Sequence, residues 1–205
     1  MRLYLVRHAQ SEANVHKILD TALPGPPLTE LGRKQADALI DTFVPQQVAA
    51  VYASHATRAQ QTAAPLADAL SLPVRVLDGV HEVSVGDLEG RGDREAIEAY
   101  GTVVHQWVQG NLDVPLPGGE SGRQVRSRYL AAVDAIRERH LGTADTVVLV
   151  SHGGAIRLAA EWLAPNVTPE ITDTGLLPNT AHVRLDADPD HVWRCSEWAG
   201  IPVSN

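Results

Sequence analysis

The stretch Thr146-Val147-Val148-Leu149-Val150-Ser151-His152-Gly153-Gly154 decides the fold. Its first five residues are β-prone and mostly apolar, a pattern typical of a strand that is buried on both faces. The strand is expected to end at Ser151-His152, where the two glycines begin a helix that continues to about Leu163. A strand that passes directly into a helix is the repeating unit of a mainly parallel sheet.

The same alternation of strands and helices recurs along the chain. Leu3-Tyr4-Leu5-Val6 predicts a short buried strand that ends at Arg7-His8. Further strands are predicted over residues 48–53, 72–76, 182–185 and 192–198, the last two around a turn at 188–190. Helices are predicted after an N-cap at Thr29, after a cap at Ser54 or Thr57, and over residues 94–108 and 121–140. This order indicates an α/β fold: a three-layer α/β/α sandwich with a mainly parallel, mixed central sheet.

The composition excludes several classes of protein. A chain of 205 residues that is 44% apolar can bury a core without disulfides or a structural metal. It has one cysteine, Cys195, which excludes an intrachain disulfide and a multi-cysteine zinc site. A formal net charge of −8 argues against a nucleic-acid surface and means that an anionic substrate needs locally placed cations. The N-terminal apolar run, residues 3–6, is shorter than the ~7–15 residues of a secretory signal, and no window approaches the ~18 of a membrane span. We therefore expect a cytoplasmic protein with no membrane partner.

Residues 80–120 differ from the rest of the chain. They are rich in charge and glycine, and their periodicity is weak apart from one predicted helix. We interpret them as an inserted segment that covers the active site within a single domain spanning residues 1–205.

Three segments that follow predicted strands carry groups suited to an anion. Arg7 is a fixed cation beside His8, and an imidazole is a competent nucleophile when it is neutral. Arg58 falls in the first turn of a helix, where backbone amides also favour anions. The glycines after His152 let the backbone pass close to a ligand. Each feature alone is also typical of a solvated side chain or a tight turn. Because ligands of such sheets bind beyond the carboxyl ends of strands, we expect His8 and His152 to share one edge.

A fourth segment, residues 81–90, supplies candidate general acids. A carboxyl group in a covered cleft can protonate a leaving group. Glu82, Asp87 and Glu89 are all available, and their spacing does not choose among them. A solvated acidic loop is the alternative interpretation, and it is strongest for Asp87 and Glu89.

Six segments in order resemble the histidine phosphatase superfamily, in its phosphoglycerate-mutase-like branch. The opening Arg-His-Gly of that family is Arg7-His8-Ala9 here. The remaining matches lie at residues 28–36, 54–63, 82–90, 117–121 and 151–154, with a weaker Asn-Thr-Ala echo at 179–181. The matches run from near the N-terminus to about residue 157, and six in the family's order make a chance resemblance improbable.

The resemblance implies a role for each matched residue. His8 would attack phosphorus and carry a phosphohistidine, and Arg7, Arg58 and His152 would form the phosphate pocket. Glu82 would protonate the leaving oxygen and then activate water. The resemblance also implies substrate contacts for Asn14, Thr29 and Gly153. No metal and no cofactor are expected, since the two arginines and the second histidine supply the positive charge.

Two departures from the family pattern are evident. Ala9 replaces the usual glycine, which predicts a tighter pocket or a shifted backbone after His8, and Leu88 replaces a tryptophan, which predicts a different cleft lining.

The sequence favours a phosphatase over a mutase of the same family. Cofactor-dependent mutases carry a tryptophan where this chain has Ala13, and an arginine directly after the acid, where it has Val83. The expected activity is therefore a phosphomonoesterase acting on a small phosphorylated metabolite, and the alternative is a cofactor-dependent phosphoglycerate mutase. A member of the family that binds phosphorylated ligands without turnover is disfavoured by the intact set of matched residues. A phosphorylated sugar or glycerate, a phosphorylated riboside and a broad range of monoesters stay open as substrates, as do a monomer and a homodimer.

Overall fold

The computed structural model describes residues 1–140, 142–172, 177–187 and 192–203. Within these ranges the strands are β1 (Arg2–Arg7), β2 (Val48–Ala53), β3 (Val74–Val76), β4 (Thr146–Ser151), β5 (His182–Ala187), β6 (Trp193–Trp198) and β7 (Ile201–Pro202). The α-helices there are α1 (Glu12–His16), α2 (Glu30–Phe43), α3 (Thr57–Ala69), α4 (Arg94–Val108), α5 (Gly122–Arg139), α6 (Gly153–Leu163) and α7 (Pro169–Thr172). Short 3₁₀ turns occupy Val44–Gln46 and Gly86–Leu88.

The described strands form one mixed sheet in the order β3-β2-β4-β1-β5-β6-β7. The first four strands in this order are parallel to one another, and β4 lies between β2 and β1. The last three strands pair antiparallel, beginning with β5 against β1. The predicted α/β class with a mainly parallel, mixed sheet is confirmed. The predicted turn at 188–190 lies outside the described residues.

Alternate residues of the central strands face two different layers of helices. On β1, Leu3 and Leu5 belong to one buried cluster, whereas Tyr4 and Val6 belong to another. The first cluster includes Tyr129, Val133 and Ile136 of α5 and Ile156 and Ala159 of α6. The second includes Leu39 and Phe43 of α2 and Ala63 and Leu66 of α3. Because side chains alternate across a strand, the sheet is covered on both faces, and the three-layer arrangement is confirmed.

The predicted cap of α3 is wrong. Neither Ser54 nor Thr57 caps this helix; its N-cap is Ala56, which has no side-chain hydrogen bond to offer. The Ser54 hydroxyl lies 2.8 Å from Nε2 of His152 and accepts a hydrogen bond from the Ala56 N–H. The sequence pattern assigned this hydroxyl to the start of α3. In the structure it contacts a histidine that is far away in sequence instead.

Residues 80–120 pack around a small core of their own. Leu88 and Trp107 are both buried in this cluster, which also contains Val125 of α5 and Leu158 of α6. The indole Nε1–H of Trp107 donates to the carbonyl of Val114. Both large side chains therefore serve packing, and the segment rests on the α5–α6 layer.

Candidate active site

A cavity of about 590 Å³ opens where β1 and β4 end. Its walls include Arg7 and His8 from the end of β1, and Gly153 and Gly154 from the start of α6. Arg58, near the start of α3, contributes to the same walls. The ends of β1, β2 and β4, which the sequence analysis singled out, therefore lie at one edge of the sheet. Ligands of such sheets bind at this kind of edge.

His8 is buried in its neutral form. Its side chain is 4% exposed, and burial, helped by the charge of Arg58, lowers the pKa of the imidazole to about 3. Nδ1 lies 2.7 Å from the carbonyl oxygen of Ala9, and Nε2 accepts a hydrogen bond of 3.2 Å from Nε of Arg58. Because a carbonyl only accepts and a guanidinium only donates, the proton is assigned to Nδ1. Nε2 is then left with its lone pair.

Arg58 connects the two histidines. It is 3% exposed and donates from Nε to His8, while its second terminal nitrogen lies 3.4 Å from Nδ1 of His152. The same nitrogen donates to the backbone carbonyl of Asp20. The rings of the two histidines have centroids 5.2 Å apart and meet edge to face. One guanidinium thus orients both imidazoles.

His152 is fully buried, and burial, helped by the charge of Arg58, holds its pKa well below the ordinary value. Its Nδ1 faces the donor Arg58, so the proton of the neutral ring is assigned to Nε2, which lies 2.8 Å from Oγ of Ser54. His152 is therefore held in a fixed orientation beside His8. A neutral ring there adds no charge to the site.

Arg7 adds a second guanidinium to the site. One terminal nitrogen donates to the carbonyl of Leu177, whereas Nε is buried with no hydrogen-bond partner among the described residues. Burial lowers the pKa of Arg7, but an arginine keeps its charge across the physiological range. A Cβ on Gly153 would lie 3.1 Å from this Nε, so a larger residue would crowd the arginine. The unpartnered Nε suits an anion oxygen.

Glu82 is the candidate acid that the fold brings to the cavity. Its carboxylate accepts hydrogen bonds from the backbone N–H groups of Val83, Gly154 and Ala155. Two of these donors are in the first turn of α6, so the start of this helix orients the carboxyl group. A Cβ on Gly154 would lie 2.9 Å from Oε1 of Glu82, so this close approach requires glycine. Of the other candidates, Asp87 is exposed, and Glu89 lies outside the cavity walls and accepts hydrogen bonds from the Thr21–Ala22 loop.

A clamp that the sequence reasoning did not identify holds the backbone of Glu82. Arg128 of α5 donates to the carbonyls of Gly79, His81 and Glu82. It also forms a two-point ion pair with Glu120, whose carboxylate in turn accepts from the N–H of Ser84. The clamp makes Arg128 a positioning residue for Glu82.

Replacing Arg128 by methionine is expected to lower kcat about 100-fold, because a displacement of about 1 Å in a catalytic group costs that much. The loss should be largest for poor leaving groups, and it should not add to the loss caused by Glu82→Gln. Steady-state kinetics with a series of leaving groups checks this. Arg126→Met, which removes an exposed arginine from the same helix, is the matched control. Wild-type leaving-group dependence in Arg128→Met would contradict the positioning role.

Asn14 and Asn179 form a pair at the cavity wall. Nδ2 of Asn179 donates to the Oδ1 of Asn14 and to the carbonyl of His8. The same Oδ1 also accepts from the N–H of Ser11, so the amide group of Asn14 is held by its oxygen end. Both asparagines line the cavity. The weak match to an Asn-Thr-Ala motif at residues 179–181 was the only sequence signal for Asn179.

Thr29 does not lie among the residues that line the cavity. Its hydroxyl caps α2 by accepting from the N–H of Gly32 and donates to the side chain of Gln10. The structure therefore supports the predicted capping role of Thr29 and does not bring it to the other site residues.

Ala9 is fully buried away from the cavity. It packs with Leu28 and Ala36, and its N–H donates to the hydroxyl of Thr62. The methyl group that replaces the family's glycine thus lies in a small core rather than against a ligand.

The arrangement can bind an anion and transfer a group from it. Two guanidinium groups line the same cavity as a neutral imidazole, whose Nε2 lone pair accepts a hydrogen bond from one of them, Arg58, and a carboxylate lies in that cavity too. Among the described residues, no cluster of three or more histidine, cysteine or acidic side chains could hold a metal ion. Fixed guanidinium groups are well suited to phosphate oxygens and to the charge that develops on them in phosphoryl transfer.

These features define a class of phosphoryl-transfer protein, and comparison with known families agrees. The family model described as histidine phosphatase superfamily (branch 1) matches residues 3–200. The chain belongs to this superfamily.

Relatives within this family carry different names. PE-PGRS family protein PE_PGRS11 of Mycobacterium tuberculosis is 32% identical over 97% of this chain, which spans only 36% of that protein. Putative phosphoserine phosphatase 2 of Hydrogenobacter thermophilus is 34% identical, covering 76% of this chain and 74% of the relative. A 2,3-bisphosphoglycerate-dependent phosphoglycerate mutase of Methylorubrum populi is 33% identical, and the match covers 91% of this chain and 90% of the relative.

A solved structure is similar over nearly the whole fold. Mycobacterial glucosyl-3-phosphoglycerate phosphatase in complex with VO3 has a TM-score of 0.79 and 28% sequence identity, and the match covers 97% of this chain and 98% of that one. The family and the fold are thus common to phosphatases and mutases.

Proposed function

We propose that the protein is a phosphomonoesterase that works through a phosphohistidine on His8 and releases phosphate from a small phosphorylated metabolite. One observation carries the proposal: the unprotonated Nε2 of His8 faces the guanidinium of Arg58 in a cavity that also contains Arg7 and Glu82. A neutral imidazole nucleophile beside fixed cations is well suited to phosphoryl transfer.

The proposed reaction has two steps that balance in protons. Nε2 of His8 bonds to phosphorus, replacing its hydrogen bond with Arg58, and the ester oxygen leaves with a proton from Glu82. Positive charge that develops on the ring is stabilised by the carbonyl of Ala9 at Nδ1. Water then attacks phosphorus, Glu82 takes its proton, and the P–N bond breaks to restore the lone pair. Arg7 and Arg58 bind the phosphoryl oxygens, with Asn14 and the backbone at Gly153 beside them. His152 can join them only by exchanging its contact with Ser54 or Arg58 for a phosphoryl oxygen.

The lining of the cavity favours hydrolysis over the mutase alternative. Val83 and Ala13 both line the walls, so an apolar side chain stands at each position where mutases have arginine or tryptophan. Neither side chain could bind the carboxylate of a phosphoglycerate.

We further propose that residues 80–120 cover this site within one domain and set the choice of substrate. Val85, Ile97 and Tyr100 from this segment line the same cavity as Arg7, His8 and Arg58. An apolar wall of this kind suits a monoester whose organic part is partly hydrophobic.

The experiment that tests the function is a panel of phosphorylated metabolites scored for phosphate release, with 3-phosphoglycerate plus 2,3-bisphosphoglycerate as the mutase assay. Release of phosphate without added metal, unchanged by EDTA, is the expected result. Isomerisation that is faster than phosphate release would favour the mutase instead.

Replacing Glu82 by glutamine is expected to lower kcat about 100- to 1,000-fold for alkyl phosphates and far less for p-nitrophenyl phosphate, whose leaving group needs no proton. A leaving-group series measured at one pH checks this. Asp87→Asn removes a charge from an exposed position of the same segment and should leave both rates unchanged. Equal losses for good and poor leaving groups would exclude Glu82 as the acid.

A cytoplasmic location and a monomeric or homodimeric state are further proposals. Residues 3–6 lie in β1, between β4 and β5, where a strand of the folded core is needed. No helix in the described ranges is both long and apolar enough to cross a membrane. Light scattering during size-exclusion chromatography would distinguish a monomer from a homodimer.

A further inference from the structure

Asp20 places a carboxyl group against the phosphate-binding guanidinium. It lines the cavity, its side chain is 13% exposed, and Oδ2 lies 3.7 Å from one terminal nitrogen (NH1) of Arg58. The backbone carbonyl of Asp20 accepts a hydrogen bond of 3.0 Å from the other terminal nitrogen. The residue is therefore anchored by its backbone, while its side chain forms an ion pair with the guanidinium at a distance too long for a hydrogen bond.

Both facing atoms lack a hydrogen-bond partner. Oδ2 of Asp20 and NH1 of Arg58 are buried, and neither finds a donor or acceptor among the described residues. Buried polar atoms are rarely left unpaired, and those that are commonly belong to a binding site. A Cβ on Gly25 would lie 2.3 Å from the same nitrogen of Arg58, so the loop leaves room for the guanidinium there. The arginine thus keeps one donor for a ligand, next to a competing carboxylate.

The surroundings of Asp20 oppose its ionisation. Burial raises its pKa above the ordinary 3.8, the charge of Arg58 lowers it, and the charge and hydrogen bonding of Glu89 raise it, with a net increase. Glu89 is held in place by the N–H and hydroxyl of Thr21 and by the N–H of Ala22. Among the described residues, the other charged or titratable groups that line the cavity are Arg7, His8, Lys17, Glu82 and Tyr100.

We propose that Asp20 tunes the affinity of the phosphate site through its own proton. The ionised carboxylate competes with a phosphoryl group for Arg58 and repels the dianion. The protonated carboxyl donates its O–H to an anion oxygen instead, so binding of a dianion takes up one proton. This inference rests on the proposed function, because it assigns the bound anion to the phosphate of the substrate or product.

Sulfate is the probe that tests this, because it stays a dianion across the pH range and needs no turnover. Calorimetric titration of the wild-type protein between pH 4.5 and 8 should show weaker sulfate binding as pH rises. Asp20→Asn keeps the size of the side chain and a donor without the charge. It should bind sulfate about tenfold more tightly than wild type at pH 8, and the difference should shrink as the pH falls and Asp20 of the wild type takes up its proton.

Two further variants make the test specific. Asp20→Ala should also lose the pH dependence but bind more weakly than Asp20→Asn, because it has no donor. Asp87→Asn removes the same charge from an exposed position nearby and should behave as wild type. Thermal unfolding checks that each variant is folded.

The outcomes separate this inference from the proposed function. An unchanged pH dependence in Asp20→Asn, or weaker sulfate binding at every pH, would overturn the tuning role and leave the phosphatase proposal intact. Conversely, the expected sulfate profile without phosphate release from any monoester would support an anion site and contradict the phosphatase.

Discussion

Replacing His8 by alanine is expected to abolish phosphate release, with kcat/KM falling by about 10⁵-fold, the scale seen when a covalent nucleophile is removed. The reason lies in the geometry of the ring. Nε2 of His8 is the unprotonated atom that faces Arg58, while Nδ1 is held by the carbonyl of Ala9. His152, its neighbour in the site, directs its own Nδ1 toward the same arginine and its Nε2 toward Ser54. The second histidine therefore cannot replace the first without reorganising the site.

The control for this variant is His105→Ala, which removes a histidine whose ring lies on the exposed side of α4. That protein should retain wild-type kinetics. Assays of phosphate release with p-nitrophenyl phosphate have the sensitivity that the comparison needs. If His8→Ala retained more than a few per cent of wild-type kcat/KM, His8 would not be the nucleophile.

Replacing Arg58 by lysine is expected to lower kcat/KM about 1,000-fold, although the charge is kept. Arg58 is buried, touches both histidines and donates to Asp20 through a planar fork of nitrogens. Lysine offers a single point of charge that cannot make these contacts together or bind phosphate oxygens at two points. Removal of a guanidinium that stabilises a phosphoryl transition state typically costs 10³- to 10⁵-fold, about the loss expected here.

A second variant gives a measurement independent of turnover. Arg58→Met removes a cation that lowers the pKa of His8, so nuclear magnetic resonance titration should find the pKa of that ring raised above its wild-type value of about 3. Burial will still keep it below the ordinary value for histidine. Arg94→Lys, at an exposed position on α4, is the matched control. An Arg58→Lys protein with wild-type kinetics would exclude the guanidinium fork from catalysis.

Much of the fold could be predicted because its signals are local. The apolar strands β1 and β4, and the glycine pair that begins α6, are visible in short stretches of sequence. Helix α4 begins at Arg94 and ends at Val108, as its periodicity indicated. Buried strands and amphipathic helices are the elements that periodicity predicts best.

The features that escaped prediction depend on contacts between distant residues. Ser54 was expected to cap α3, yet its hydroxyl contacts His152, which is far away in sequence. Spacing alone did not choose Glu82 over Asp87 and Glu89, because the choice depends on N–H groups of α6 and on the clamp by Arg128. Asp20 carries no motif, and its position against Arg58 emerges only when the loop after α1 folds over α3.

The most direct test of the account is the detection of the phosphorylated enzyme. The wild-type protein would be mixed with a rapidly reacting monoester, quenched in alkali, which preserves phosphohistidine, and digested for mass spectrometry. The account predicts one phosphoryl group on His8, formed within the first turnover and absent from His8→Ala. A phosphoryl group on His152, or phosphate release with no phosphoenzyme under conditions where hydrolysis limits the rate, would contradict it.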